Sequence, residues 1–90
     1  MIRRVRQVHP LNDCRLMLEF DDGASGVVDI ASRIPFEGVF ARFRDAAYFR
    51  QVRIDAASGT ICWPNGVDLD PVVLYSAATG TPLNELLERP

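Results

Sequence analysis

Between Cys14 and Phe20 apolar and polar positions alternate along the chain. Cys14, Leu16, Leu18 and Phe20 fall on one face, and Arg15, Met17 and Glu19 on the other. A period of two marks a strand with one buried side. Asp21-Asp22-Gly23 follows as a turn, and Val27-Val28-Asp29-Ile30 returns as a second strand. Facing decides the length of that turn. A two-residue loop at Asp22-Gly23 would set Asp29 opposite Leu16 on the apolar side. A three-residue loop, with Gly23 left-handed, sets Val28 opposite Leu16 and Ile30 opposite Cys14 and leaves Asp29 in water, so it is preferred. Upstream, the segment from Arg3 to His9 carries Val5 and Val8 three positions apart. Strict alternation does not produce that spacing; an edge strand with a bulge, ended by Pro10, does. Its arginines would discourage edge-to-edge aggregation.

The stretch from Ser32 to Arg50 predicts irregular and short helical pieces. Phe36, Phe40, Phe43 and Phe49 supply most of its aromatic mass, and the spacing of Phe36, Phe40 and Phe43 suits one face of a short helix. Asp45 is an N-cap candidate for a turn through Phe49. A second hairpin follows. Val52 and Ile54 alternate with Arg53 and Asp55, Ala56-Ala57-Ser58-Gly59 forms the loop, and Thr60 to Trp63 returns until Pro64 ends the strand. Asn65-Gly66 turns the chain. Asp70-Pro71 then starts a helix that Gly80 stops. Thr81-Pro82 repeats the start signal for a short last helix over 81–89, with Leu83, Leu86 and Leu87 as its apolar stripe. The resulting fold class is α+β: two antiparallel β-hairpins forming a small sheet packed with short helices, in a single domain over 1–90.

Composition narrows the function classes. A 90-residue chain with 48% hydrophobic and 24% charged residues is an ordinary globular domain rather than a disordered one. No apolar run reaches the roughly 18 residues of a membrane span, and no apolar segment of signal-peptide type follows the basic start, so a cytoplasmic location is expected. The net charge of −2 does not favour nucleic acid. Every basic residue is Arg, which fits either biased codon usage or a need for planar, fork-shaped donors. Cys14 and Cys62 lie in predicted strands beside apolar neighbours and read as buried, reduced, small hydrophobes. With a single His, they form no metal site of credible spacing, and no cofactor is expected.

Candidate chemistry is sparse. His9 would have to serve any Ser/His or Cys/His dyad, yet it sits at a strand end beside Pro10. The carboxylate pairs are Asp21/Asp22, in a turn, and Asp68/Asp70. Asp70 is a cap, and Asp68 reads as bonding the Asn65-Gly66 backbone in an Asx-type turn. Trp63 is a core lid or, alternatively, an interface anchor. Arg3, Arg4, Arg6 and Arg15 are the one basic concentration; it has neither interleaved aromatics nor a recognition helix. No catalytic residue is assigned. The candidate binding residues are Trp63, Asn65, Asp68, Arg4 and Arg6.

The string Trp63-Pro64-Asn65-Gly66-Val67-Asp68-Leu69 resembles a small bacterial family, domain-of-unknown-function family 2442. Val5 and Val8 before Pro10 are similar to its opening strand. Leu16, Leu18, Phe20, Asp22 and Gly23, with Val28-Asp29-Ile30, are similar to its first hairpin, and Phe49, Val52, Gly59 and Pro71 to Tyr75 to the remainder. The resemblance covers about residues 3–76. It implies an α+β fold of two hairpins with short helices, and it supplies no catalytic residues. Some relatives carry the domain ahead of a helix-turn-helix domain, for which residues 76–90 are too few; others are encoded beside a second small protein, similar to toxin–antitoxin pairs. The expected function is therefore a non-enzymatic protein-interaction module, antitoxin-like or the accessory member of a two-gene pair. Its expected partners are a protein encoded nearby or a second copy met at a sheet edge. The alternatives are a DNA-associated regulator and a small-ligand site at the Trp63–Asp68 turn.

Overall fold

The computed structural model describes residues 4–87. Strands β1 (Val5–Leu11), β2 (Arg15–Phe20) and β3 (Ser25–Asp29) form one antiparallel sheet in the order β1-β2-β3, and β4 (Arg53–Asp55) and β5 (Thr60–Cys62) form a second. The α+β class expected from the pattern is the one observed. The strands divide between two sheets instead of sharing one, joined where the Val5 amide donates to the Gly59 carbonyl at 2.9 Å.

The β2–β3 hairpin has the expected register. Leu16 lies opposite Val28, the Phe20 amide donates to Ala24, and Gly23 has φ 89°. Asp29 is exposed as expected; its carboxylate also caps α1 (Ile30–Arg33) by accepting from the Ser32 amide. In β1 the register shifts between Val5 and Gln7, so the bulge at Arg6 returns Val8 to the same face as Val5, opposite Leu18. Pro10 does not end this strand, contrary to expectation. It pairs with Leu16 and the strand continues to Leu11. Because Gln7, His9 and Leu11 aim their backbone groups at β2, Pro10 faces the free edge, where its missing N–H costs no ladder bond.

Cys14 is also placed differently from expectation. It belongs to the β1–β2 turn, with φ 58° after Asp13 at φ 63°, and both it and Cys62 are half-buried free thiols. The turn must reverse the chain before Arg15, and Asp13 tolerates the left-handed region better than most residues.

The middle folds as α1, a 3₁₀ helix over Gly38–Arg44, and α2 (Ala46–Phe49), which Asp45 caps through the Ala47 amide. Phe43 is fully buried and collects the aromatic rings around it: Phe36 at 5.6 Å, Phe40 at 5.7 Å, Phe49 at 5.6 Å and Trp63 at 4.4 Å. Helix α3 (Pro71–Thr79) starts and stops as its cap residues dictate, with Asp70 accepting from Val72 and Gly80 at φ 77°. Helix α4 covers Leu83–Leu87, so it starts at Leu83 rather than at the expected Thr81. Residues 88–89 and the Leu87 side chain lie outside the described residues, as does Arg3.

α3 packs along β3, and the contact depends on Gly26. A Cβ there would lie 2.0 Å from the Ala78 carbonyl oxygen, and no flexible side chain is available to yield. Gly26→Ala is expected to lower the unfolding free energy by about 3 kcal/mol, since relief requires lifting the helix from the sheet. A urea titration of the two proteins measures this; a loss under about 0.5 kcal/mol would show that the helix shifts freely.

Candidate functional site

The Trp63–Asp68 turn is built from the inside outward. Trp63 is 0% exposed, and its indole N–H donates to the Phe49 carbonyl at 2.9 Å. It is a core residue and offers no surface to a partner or a stacking ligand. The Trp63 amide donates to Val67, the Gly66 amide donates back to Trp63, and Cys62 bridges Asp68, so the chain doubles back as a tight hairpin tip. Asn65, not Asp68, makes the Asx-type contact: its side-chain oxygen accepts from the Val67 amide at 3.2 Å. The amide of Asn65 lies two residues before that donor, the geometry an Asx turn needs, whereas Asp68 comes after it. Asp68 is exposed, and neither of the two cavities described below includes Trp63, Asn65 or Asp68.

The arginines of the first strands have local partners. Arg4 reaches across the second hairpin, donating to the Ala56 carbonyl at 2.8 Å and lying against Gly59, where a Cβ would meet its guanidinium carbon at 2.9 Å. Arg6 pairs with Glu19 on the surface. Arg15 donates to the Asn12 carbonyl at 3.2 Å. Arg4 and Arg6 are thus turned toward the protein's own backbone and carboxylates, and do not form a row of free cations.

The acid–base candidates are similarly occupied. His9 is exposed, and its ring nitrogen has Gln7 Oε1 as its neighbour at 3.4 Å. Asp21 accepts from the Arg4 amide. Asp22 accepts from the Ala24 amide at 2.9 Å and from the Tyr75 hydroxyl at 2.6 Å, a contact between loop and helix that sequence spacing does not reveal. Among the described residues no group of three or more His, Cys, Asp or Glu side chains could hold a metal ion. No helix among them is long and apolar enough to cross a membrane.

Two surfaces remain with unused binding capacity. The first is the outer face of the three-stranded sheet. Its cross-strand rows are Gln7–Glu19–Ser25, His9–Met17–Val27 and Leu11–Arg15–Asp29. Met17 and Val27 are 37% and 44% exposed at its centre, with charged side chains in the flanking rows. The second is a cavity of about 690 Å³ between β3, α1 and α3, walled by Val28, Ile30, Ile34, Val73 and Leu74, with Arg33 among its polar lining. A smaller cavity of about 450 Å³ lies at the β1–β2 turn beside Cys14, Phe49 and Arg50.

Taken together, these elements define a small α+β domain of two antiparallel sheets whose conspicuous residues shape its turns and core. The chain belongs to the family described as "Protein of unknown function (DUF2442)", whose profile matches residues 5–80. No curated protein and no solved structure was found to match the chain.

Cys14 is the cysteine among the residues lining the two cavities, and its environment opposes the thiolate. Burial pushes the thiol above its ordinary value of 9.0, and the Asp29 and Asp13 carboxylates add to the rise. The folded form therefore holds this proton more tightly than the unfolded chain. Its contribution to stability is intact below pH 9.0 and is lost as the pH rises from there through the raised folded value. The unfolding midpoint of the wild type is expected to fall more steeply above pH 9 than that of Cys14→Ala. Parallel slopes would contradict the assignment.

Proposed function

We propose that this protein is a non-enzymatic protein-interaction module, the antitoxin-like or accessory member of a two-gene pair, and that it meets its partner through the outer face of the three-stranded sheet. The observation that carries the reading is the central row of that face. Met17 and Val27 stand apolar and solvent-exposed on a sheet whose opposite side buries Leu16, Leu18, Phe20 and Val28 in the core. Charged and polar rows border them, the arrangement of an apolar contact centre inside a polar rim. The engagement of Arg4 and Arg6 with local groups gives the DNA-associated alternative less support, and the burial of Trp63 does the same for a ligand site at the turn.

Co-expression with the product of the neighbouring gene tests the proposal. The two proteins are expected to co-elute on size exclusion. Met17→Glu is expected to weaken the complex by at least about tenfold, since it buries a charge at the contact centre, while Asn65→Ala leaves it intact. Absence of co-elution, or a complex indifferent to Met17→Glu, would overturn it.

A further inference from the structure

We infer a second binding site, beyond the sheet face: the free edge of β3 and the adjoining cavity form a groove that takes an extended peptide segment bearing apolar side chains and a carboxylate. Three independent observations converge on it.

The first is the state of the two sheet edges. The Phe20 amide donates to Ala24, so Ala24, Gly26 and Val28 aim their backbone groups at β2. Ser25, Val27 and Asp29 consequently aim theirs away from the sheet. The Asp29 carbonyl accepts from the Ser32 hydroxyl at 2.9 Å; the N–H and C=O groups of Ser25 and Val27 have no such partner among the described residues. The β1 edge is blunted instead. It carries the Arg6 bulge and Pro10 without a donor, and its Val5 amide is bonded to Gly59. Unpaired edges invite strand addition, and among the described residues one edge is protected and the other is left bare.

The second observation is the position of the cavity. Its walls come from β3, α1, α3 and the Leu69-Asp70 segment before α3, and none from β1 or β2. It therefore opens at the β3 side of the sheet. In a strand laid on β3, side chains on the inner face stand level with Val28 and point into this space. The walls are apolar, and Val73 is 45% exposed along the rim.

The third is charge. Arg33 lines the cavity and has no hydrogen-bond or ion-pair partner among the described residues. Asp70, on the same lining, accepts from the Val72 amide. The free cation thus sits beside a carboxylate already committed to its helix, and suits an incoming carboxylate. Backbone pairing for affinity, a side-chain pocket for selectivity and a cation for the carboxylate are the components of recognition by strand addition.

The unpartnered Arg33 on the cavity lining favours an extended peptide bearing a free carboxylate over a second copy of β3, whose one carboxylate, Asp29, already accepts from the Ser32 amide.

The test uses the full chain and a fluorescent peptide of alternating valine and threonine with a free C-terminal carboxylate. The expected result is saturable binding by polarisation, with slowed amide exchange at Ser25 and Val27. Alternate N-methylation of the peptide is expected to weaken binding at least about tenfold, as it removes pairing donors while the protein is unchanged. Arg33→Gln is expected to abolish the preference for the free carboxylate over the C-terminal amide. Binding unaffected by either change, no binding at millimolar peptide, or a Ser25→Pro-sensitive dimer would overturn the inference. Capture of the neighbouring gene's product that survives Ser25→Pro but not Met17→Glu would leave the proposed function standing without it.

Discussion

The buried indole of Trp63 is the constraint from which most of this architecture follows. A ring this large at zero exposure must find a partner for its N–H, and the Phe49 carbonyl at the end of α2 provides it. That bond fixes the irregular middle of the chain against the second hairpin. Phe43, 4.4 Å from the indole, then draws in Phe36, Phe40 and Phe49. On the backbone side, the Trp63 amide closes the Pro64-Asn65-Gly66 turn onto Val67. The family string from Trp63 to Asp68 is thus a structural device. It anchors a ring inward and returns the chain beside Cys62, leading to the Asp70-Pro71 start of α3.

What could be read from the chain beforehand was whatever parity or local chemistry determines. The β2–β3 register was legible because a one-residue slip would have buried Asp29. The caps of Asp45 and Asp70 and the stop at Gly80 were legible because each depends on a few adjacent residues. The bulge was legible from two valines at a spacing no regular strand allows. Contacts between distant segments were not. Nothing near Tyr75 points to Asp22, and nothing near Trp63 points to Phe49. The left-handed Cys14 carries no sequence signal, since a cysteine at such a φ is uncommon.

The binding surfaces were less legible than the fold. Trp63, the most conspicuous candidate, is interior, and Arg4 and Arg6 are occupied with loop and strand neighbours. The unused capacity lies on residues without distinction in the sequence: Met17, Val27 and Arg33. Met17 sits on the polar side of an alternating strand, and its exposure follows from that alternation. Its meaning appears only when β3 sets Val27 beside it. Arg33 is one of ten arginines, and only the geometry separates it from those already paired.

Gly26 joins the fold to the groove. A glycine inside a strand commonly marks a close approach by another backbone, and here the Ala78 carbonyl makes it. That approach seats α3 low against β3, so that Val73 and Leu74 reach the level of Val28 and complete a wall. A helix held farther away by a side chain at position 26 would leave the edge of β3 open to water on that side. The residue that gives α3 its packing is therefore also the one that turns a bare strand edge into a lined groove. The second hairpin, bonded to β1 through Gly59, occupies the Val5 end of the opposite margin. Among the described residues no element pairs with the β3 edge, so the groove lies where the sheet is left incomplete.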